Sequence, residues 1–397
     1  MPNTGFRLAG VKIARVSTVA FFVETQLKAQ LEAIVDAGSE LTVVASDDQL
    51  AFQIPGMRYV SVDIPRKIHP ARDLVALLRL WYLFRKEHFD IVHSTTPKAG
   101  LLCSIAAILA GVPIRLHTFT GQPWVGLSGV KRWLSKSSDW LIAKLNTYCY
   151  ADSPSQRSFV VDSGVASDAA IGVIGYGSLA GIDLHRFDPE RFSDKECMAL
   201  RHELGISDGT PMLLFVGRLT VDKGIAELLA AYDELINRNI FATLVLLGPL
   251  EADCETLLGA LSVQARARVK LIGFSPEPER FMAIANFLVL PSYREGFGTV
   301  VLEAAAMGIP TIGTQIYGLS DAVEHGNTGL LVPVRDSHAL AEAMETLLCN
   351  SEICKAMGKA AQRRVRENFS SSQMSGLLIS QYKRWLEIFS ANIGVKG

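Results

Sequence analysis

Phe287-Leu-Val-Leu-Pro291-Ser-Tyr-Arg-Glu295-Gly296-Phe297-Gly298-Thr299-Val300-Val-Leu-Glu303-Ala-Ala-Ala-Met307-Gly-Ile-Pro-Thr311-Ile-Gly313 holds two short apolar runs, with a glycine-bearing loop and a longer apolar run between them. The spacing predicts a buried strand over Phe287–Leu290, a helix over Thr299–Met307 and a second strand over Thr311–Gly313. Strand, helix and strand in so few residues make one βαβ unit, whose strands are parallel. The alternation extends both ways. Strands are expected at Met212–Val216, Thr243–Leu247, Val269–Ile272 and Leu330–Val332. Helices are expected at Ile225–Arg238, Ser337–Cys349, Glu352–Glu367 and Gln373–Phe389. In the N-terminal half, Val11–Val16, Leu41–Ala45, Tyr59–Val62, Ile91–His93 and Ile114–Thr118 read as strands. Glu24–Ala37, Ala71–Lys86, Ala99–Ala110, Lys131–Leu145 and Pro154–Asp162 read as helices.

The aperiodic, glycine-rich stretch Tyr176–Phe187 separates the halves, and 397 residues exceed what one core comfortably serves. The expected architecture is therefore α/β, two Rossmann-like doubly wound domains facing across a cleft. They are assigned to residues 1–185 and 186–370, with helix 371–397 crossing back to the first. Ligands of such sheets bind at the carboxyl ends of the strands.

The composition, 49% hydrophobic and 20% charged, excludes a disordered chain. Residues 1–185 carry 18 Lys/Arg against 15 Asp/Glu and the remainder 21 against 25, an asymmetry too mild to mark nucleic acid or membrane by itself. No nucleic-acid partner is expected. The six cysteines form no CxxC pair and no histidine cluster adjoins them, so they read as thiols of a reducing compartment. Met1–Lys12 has no long apolar run, which argues against a signal peptide. Leu101–Ile114, interrupted by Gly111 and Pro113, is shorter than the roughly 20 residues that span a bilayer. A cytoplasmic protein is expected.

Three elements of the second half converge on a nucleoside diphosphate. In Phe215-Val-Gly217-Arg218-Leu-Thr-Val-Asp-Lys223-Gly224 a buried strand ends in glycine and two cations follow. A departing diphosphate needs such charge, Arg218 as a planar fork and Lys223 as a point charge. Alone, the pair reads at least as readily as two solvated cations. Glu295 and Glu303 lie eight positions apart, one on the loop and one in the second helical turn. Carboxylates so placed accept paired hydrogen bonds from vicinal hydroxyls, and the free N–H groups at the start of the helix favour an anion. Taken alone, they are a helix cap and a surface glutamate. Gly326-Asn-Thr-Gly329-Leu-Leu-Val332, preceded by Asp321, is a turn feeding a strand.

Together these elements resemble glycosyltransferase family 4, whose members have the GT-B fold. The family's E-x7-E element is matched at Glu295 and Glu303. Its GR…KG element is matched at Gly217, Arg218, Lys223 and Gly224, and its G-x-x-G-x-L-V tail at Gly326–Val332. The resemblance covers roughly residues 90–370. It implies a retaining transferase that needs no metal or other cofactor. It also implies that Glu295 holds donor sugar hydroxyls, with Gly296, Phe297 and Gly298 in backbone contact. Thr299 and Val300 would sit by the phosphates, Arg218 and Lys223 would neutralise them, Glu303 would take the ribose, and Gly273 and Phe274 would lie by the base.

The first half matches less closely. Ser17–Phe22 stands where many members carry a Gly-Gly loop. Thr118-Phe119-Thr120-Gly121 stands where many show T-x-H-G, with Thr120 at the histidine position. His117, three residues earlier, is either displaced into that role or an ordinary strand residue. Ile91-Val-His-Ser-Thr-Thr-Pro-Lys98 resembles a subgroup that extends polyprenyl-diphosphate-linked bacterial surface glycans. Lys98 either meets an acceptor diphosphate or is simply solvated.

The expected reaction is transfer of a hexose or N-acetylhexosamine from a UDP-sugar to a lipid-linked glycan. Two rivals stand beside it: a sugar-nucleotide 2-epimerase of the same fold, and a non-catalytic nucleotide-sugar-binding protein. Two cationic, aromatic-laced stretches, Arg66–Lys86 and Trp124–Lys144, are expected to dock on anionic membrane. The first includes Trp81, Tyr82 and Phe84, the second Trp133 and Trp140. The alternative buries those aromatics in the core.

Overall fold

The computed structural model describes residues 8–394, excepting the side chains of 252–255 and 392–394. Cys254 therefore lies outside the described side chains, and the other five cysteines are unpaired. The chain divides into two compact units, Ile182–Ser370 forming one and the residues before and after it the other.

In the unit of both termini, β1 (Lys12–Val16), β2 (Glu40–Ala45), β3 (Met57–Ser61), β4 (Ile91–Thr95), β5 (Ile114–Phe119), β6 (Tyr148–Ala151) and β7 (Ile171–Val173) form one sheet. Its order is β3-β2-β1-β4-β5-β6-β7, and every pairing is parallel. The chain adds strands in one direction from β1 to β3, then returns past β1 to build β4 to β7. Right-handed crossovers therefore put the helices of the two series on opposite faces. Helices Pro70–Glu87, Pro97–Ala110 and Gly129–Leu145 pack side by side on one face, the first two over the core of β1 and β4. Lys28–Asp36 and the C-terminal helix Ser371–Gly394 cover the other. Pro70, Pro97 and Pro154 each stand in the first turn of their helix, where the missing N–H costs nothing.

The sequence reading left out β6 and β7. Tyr148-Cys-Tyr-Ala and Ile171-Gly-Val lack the apolar run that marks an equally short strand such as Phe287–Leu290, and their registers, Leu116 beside Tyr148 and Cys149 beside Ile171, make them strands.

A buried polar network holds the C-terminal helix in place. Arg15, 1% exposed, lies 2.6 Å from His93 Nδ1 and donates to the Tyr382 hydroxyl at 2.9 Å. Arginine only donates, so His93 accepts at Nδ1 and its Nε2–H points to Thr118 Oγ1, 2.8 Å away. Burial, with Arg15 adding to it, holds His93 well below its ordinary range and keeps the ring neutral.

In the second unit, β8 (Met212–Val216), β9 (Thr243–Leu247), β10 (Val269–Gly273), β11 (Phe287–Leu290), β12 (Thr311–Thr314) and β13 (Gly329–Val332) form a parallel sheet in the order β10-β9-β8-β11-β12-β13. Helices on both faces require near-continuous apolar strands. Leu213–Phe215, Leu244–Leu247 and Phe287–Leu290 are accordingly all buried. Here too the chain reverses direction at a pair of neighbours, β8 and β11. Loops leaving that pair diverge to opposite faces and open a crevice at the carboxyl end of the sheet.

Candidate active site

The two loops at that crevice carry the cations and the first glutamate. Gly217 (φ 151) leaves β8, and Val221–Lys223 makes one 3-10 turn closed by Gly224 in the left-handed region (φ 71). A β-carbon on Gly224 would stand 2.1 Å from the carbonyl oxygen of Pro291, the first residue after β11. Glycine is thus required twice, for its backbone angle and for the close approach. The approach is locked by the Tyr293 N–H, which donates to the Asp222 carbonyl at 2.9 Å. An Arg294–Asp222 ion pair at 3.3 Å adds a second tie.

This lock brings Lys223 to Glu295. Lys223 Nζ is 2.5 Å from Glu295 Oε1, and Ser292 Oγ donates to the same oxygen at 2.8 Å. With side chains only 21% and 13% exposed, the two charges offset each other where water reaches them poorly. Arg218 is placed differently. It pairs with Glu251 at 2.7 Å, both side chains about half exposed at 55% and 51%. A surface pair of this kind contributes at most about 1 kcal/mol, so Arg218 is free to turn to another anion at little cost.

Beyond Glu295, Gly296, Phe297 and Gly298 are buried. Phe297 is a core residue, 3% exposed and 5.4 Å from the Phe369 ring, so only its backbone is available to a ligand. Gly298 (φ 81) precedes helix Thr299–Ala306 and offers no side-chain cap. The N–H groups of Thr299 and Val300 therefore begin an eight-residue helix whose dipole favours an anion. Glu303 follows one turn later, half-buried. Desolvation pushes its carboxyl up to about 7, with Arg186 pulling it down and Glu279 adding to the rise. Gly273 closes β10 at φ 77, its carbonyl accepting from the Gly248 N–H at 2.7 Å, and Phe274 beyond it is 64% exposed.

Arg186, Glu279, Ser292 and Glu251 escaped the sequence reading. Arg186 grips Glu279 with two hydrogen bonds of 3.0 and 2.8 Å, and that 6% exposed carboxylate is the second charge Glu303 senses. Nothing local in the sequence marks the pair, since its members are 93 positions apart. Ser292 was visible inside the glycine loop but carried no distinguishing spacing.

In the other unit, His117 is a buried strand residue, 1% exposed. Its Nδ1 meets Ser94 Oγ at 2.9 Å, and its ring stands 4.7 Å from that of Phe119. Gly100 is pressed so close that a β-carbon there would lie 2.5 Å from the imidazole. Burial pushes the ring down to about 3. Of the two readings of His117, displacement into the site is thus corrected: the ring is sealed under the Pro97 helix. Thr120 sits half-buried just beyond β5. Lys98 is neither solvated nor free, because Asp73 holds it at 2.6 Å with both side chains 16% exposed.

Comparison with known proteins fits this geometry. Residues 198–364 match the family described as glycosyl transferases group 1, and residues 23–177 match a glycosyl transferase 4-like domain. A capsular polysaccharide biosynthesis glycosyltransferase of Staphylococcus aureus is 30% identical over 91% of this chain and 94% of its own. The UDP-Gal:alpha-D-GlcNAc-diphosphoundecaprenol alpha-1,3-galactosyltransferase of Escherichia coli is 25% identical, over 91% of this chain and 90% of its own. The Anabaena protein HepE, solved in complex with UDP-glucose, superposes with a TM-score of 0.75 at 19% identity, over 94% of this chain and 99% of that one. The two Rossmann-like sheets, the loops that join Lys223 to Glu295 and these matches make the chain a glycosyltransferase of GT-B fold, a member of the group 1 glycosyltransferases of family 4.

Proposed function

We propose that this enzyme moves a hexose or N-acetylhexosamine from a UDP-sugar, with retention, to a polyprenyl-diphosphate-linked glycan during cell-surface polysaccharide synthesis. It would act at the cytosolic face of the membrane. The observation that carries the reading is the Lys223–Glu295–Ser292 cluster beside the glycine-led start of helix Thr299–Ala306, at the point where the second sheet reverses direction. The UDP-glucose bound by HepE and the diphosphoundecaprenol acceptor named for the Escherichia coli relative support the choice of substrates.

As the bond from the anomeric carbon to phosphate breaks, negative charge gathers on the departing diphosphate. Lys223, Arg218 and the N–H groups of Thr299 and Val300 are the groups that would meet it. Glu295 holds hydroxyls of the sugar being moved, and Glu303 holds the ribose. No Asp or Glu stands out as a displacement nucleophile. A front-face route is the retaining path left: the acceptor oxygen bonds to the anomeric carbon and its proton passes to the leaving phosphate oxygen. Two cations and a helix dipole do the charge work, so no divalent ion is needed.

UDP release from UDP-glucose, UDP-galactose and their N-acetyl forms, with and without a polyprenyl-diphosphate-linked sugar, tests this. Release that depends on acceptor and survives EDTA is expected. UDP-sugar interconversion without acceptor would instead identify an epimerase, and binding without release a sensor. Loss of activity in EDTA with recovery in Mg²⁺ would overturn the metal-free reading.

A further inference from the structure

Helix Pro70–Glu87 is apolar on two sides. Ala76, Leu80, Leu83 and Phe84 face the core. On the opposite side Leu74, Leu78 and Trp81 form a second stripe, 38–56% exposed, with Tyr82 beside it at 64%. An ordinary surface helix carries one apolar stripe and a polar back. Helix Gly129–Leu145 repeats the pattern. Its Ile142 and Ala143 are buried, while Val130, Trp133 and Trp140 project outward, 72%, 66% and 46% exposed. Between the two lies helix Pro97–Ala110, packed against both, with Leu109 61% exposed.

Among the described residues, 13 of the 23 exposed large hydrophobic side chains fall between Ile68 and Trp140. Concentration of this kind marks an interaction surface rather than scattered exposure. Phe84 and Trp124, expected in the same surface, are core residues at 1% exposure each. Trp124 stacks on Phe159 and donates to Asp139.

Charge decides what covers this face. The three helices hold nine Lys/Arg and three Asp/Glu, a net of +6 on a chain whose total is −1. None of the three carboxylates is left to balance the face: Asp73 is paired with Lys98, Glu87 with Arg58, and Asp139 is buried. Arg79, Arg85 and Lys131 are exposed, and no ion pair involves them among the described residues. A second copy of the chain would set +6 against +6. An anionic bilayer instead answers both features, taking Trp and Leu into the headgroup boundary and attracting the cations around them.

We infer that the joint outer face of helices Pro70–Glu87, Pro97–Ala110 and Gly129–Leu145 is a docking surface for an anionic lipid membrane. The inference rests on the proposed lipid-linked acceptor for its purpose, and on exposure and charge for its location.

Co-sedimentation of the full chain with phosphatidylcholine vesicles, with and without phosphatidylglycerol, tests it. The wild-type chain pellets with the anionic vesicles at low salt and is released as salt screens the attraction. Two variants lower partitioning at least about tenfold: Arg79→Glu/Arg85→Glu/Lys131→Glu, and Trp133→Ser/Trp140→Ser. Both keep the wild-type UDP-induced thermal shift, which shows that they fold. A wild-type chain that stays in the supernatant with anionic vesicles overturns the inference. So does equal pelleting with neutral vesicles, or self-association without lipid that the same substitutions abolish. A chain that pellets but shows no UDP shift sinks the transferase reading and leaves the docking face standing.

Discussion

Glu303 makes donor binding depend on pH in a direction the structure sets. Desolvation places its carboxyl at about 7 instead of the ordinary 4.5. Vicinal ribose hydroxyls donate hydrogen bonds, so they prefer the ionised carboxylate and binding draws the proton off. In the free protein the group is about one-tenth ionised at pH 6 and about nine-tenths at pH 8. Donor affinity should therefore fall about tenfold from pH 8 to pH 6, about 1.4 kcal/mol. Calorimetry with UDP-glucose is the suitable assay, because its diphosphate diester does not titrate in this window. In buffers of different ionisation enthalpy, binding should release close to one proton at pH 6 and almost none at pH 8. Glu303→Gln should bind more weakly than wild type at pH 8 and show no slope. Arg186→Ala removes the opposing charge and should move the wild-type curve to higher pH. A flat wild-type profile, or proton uptake on binding, would refute both the ribose role of Glu303 and the physical account of its carboxyl.

Arg218→Ala and Lys223→Ala should each lower turnover by at least ~10²-fold, the scale for losing one group that stabilises a leaving charge; near-normal steady-state rates in both would remove them from the site. Gly224→Ala forces a β-carbon into the Pro291 carbonyl at a left-handed backbone angle. It should cost at least ~1 kcal/mol in urea unfolding and impair donor binding with it, since the same contact seats Lys223 beside Glu295; unchanged unfolding and donor affinity would mean the two loops are not locked there. Asp139, buried against the Trp124 indole, has its carboxyl pushed up to about 7 from 3.8. The folded chain therefore holds that proton more tightly than the unfolded one, and stability falls as pH rises from 3.8 to about 7 and levels off above it. Asp139→Asn, which still accepts from Trp124, should come close to wild type in Tm near pH 4 and exceed it by a margin that widens up to about pH 7 and holds above it. A variant less stable at both pH values would contradict this.

Much of the fold was legible because its signals are local. Strands β8, β9 and β11 are apolar runs buried almost throughout, and all six strands of Ile182–Ser370 stand within a residue of where the sequence places them. Gly217, Gly224, Glu295 and Glu303 were legible as types at a spacing, because a strand end, a tight turn and a helix start each need particular residues. Strands β6 and β7 were not, since Tyr148-Cys-Tyr-Ala and Ile171-Gly-Val lack the leucine and valine run that marks the equally short β11, and pairing defines them. The sequence could name Lys223 and Glu295 but not place one 2.5 Å from the other across 72 positions. That contact depends on β8 and β11 lying side by side, a consequence of the chain reversing direction across the sheet. His117 shows the same limit from the other side: its number puts it near the family's histidine, yet strand alternation and Gly100 turn it into the core. Only the tertiary structure decided which cations were already paired, which carboxyl had lost its water and which aromatics of the two basic helices faced outward. Desolvation and charge pairing arise between residues far apart in the chain, and no local pattern records them.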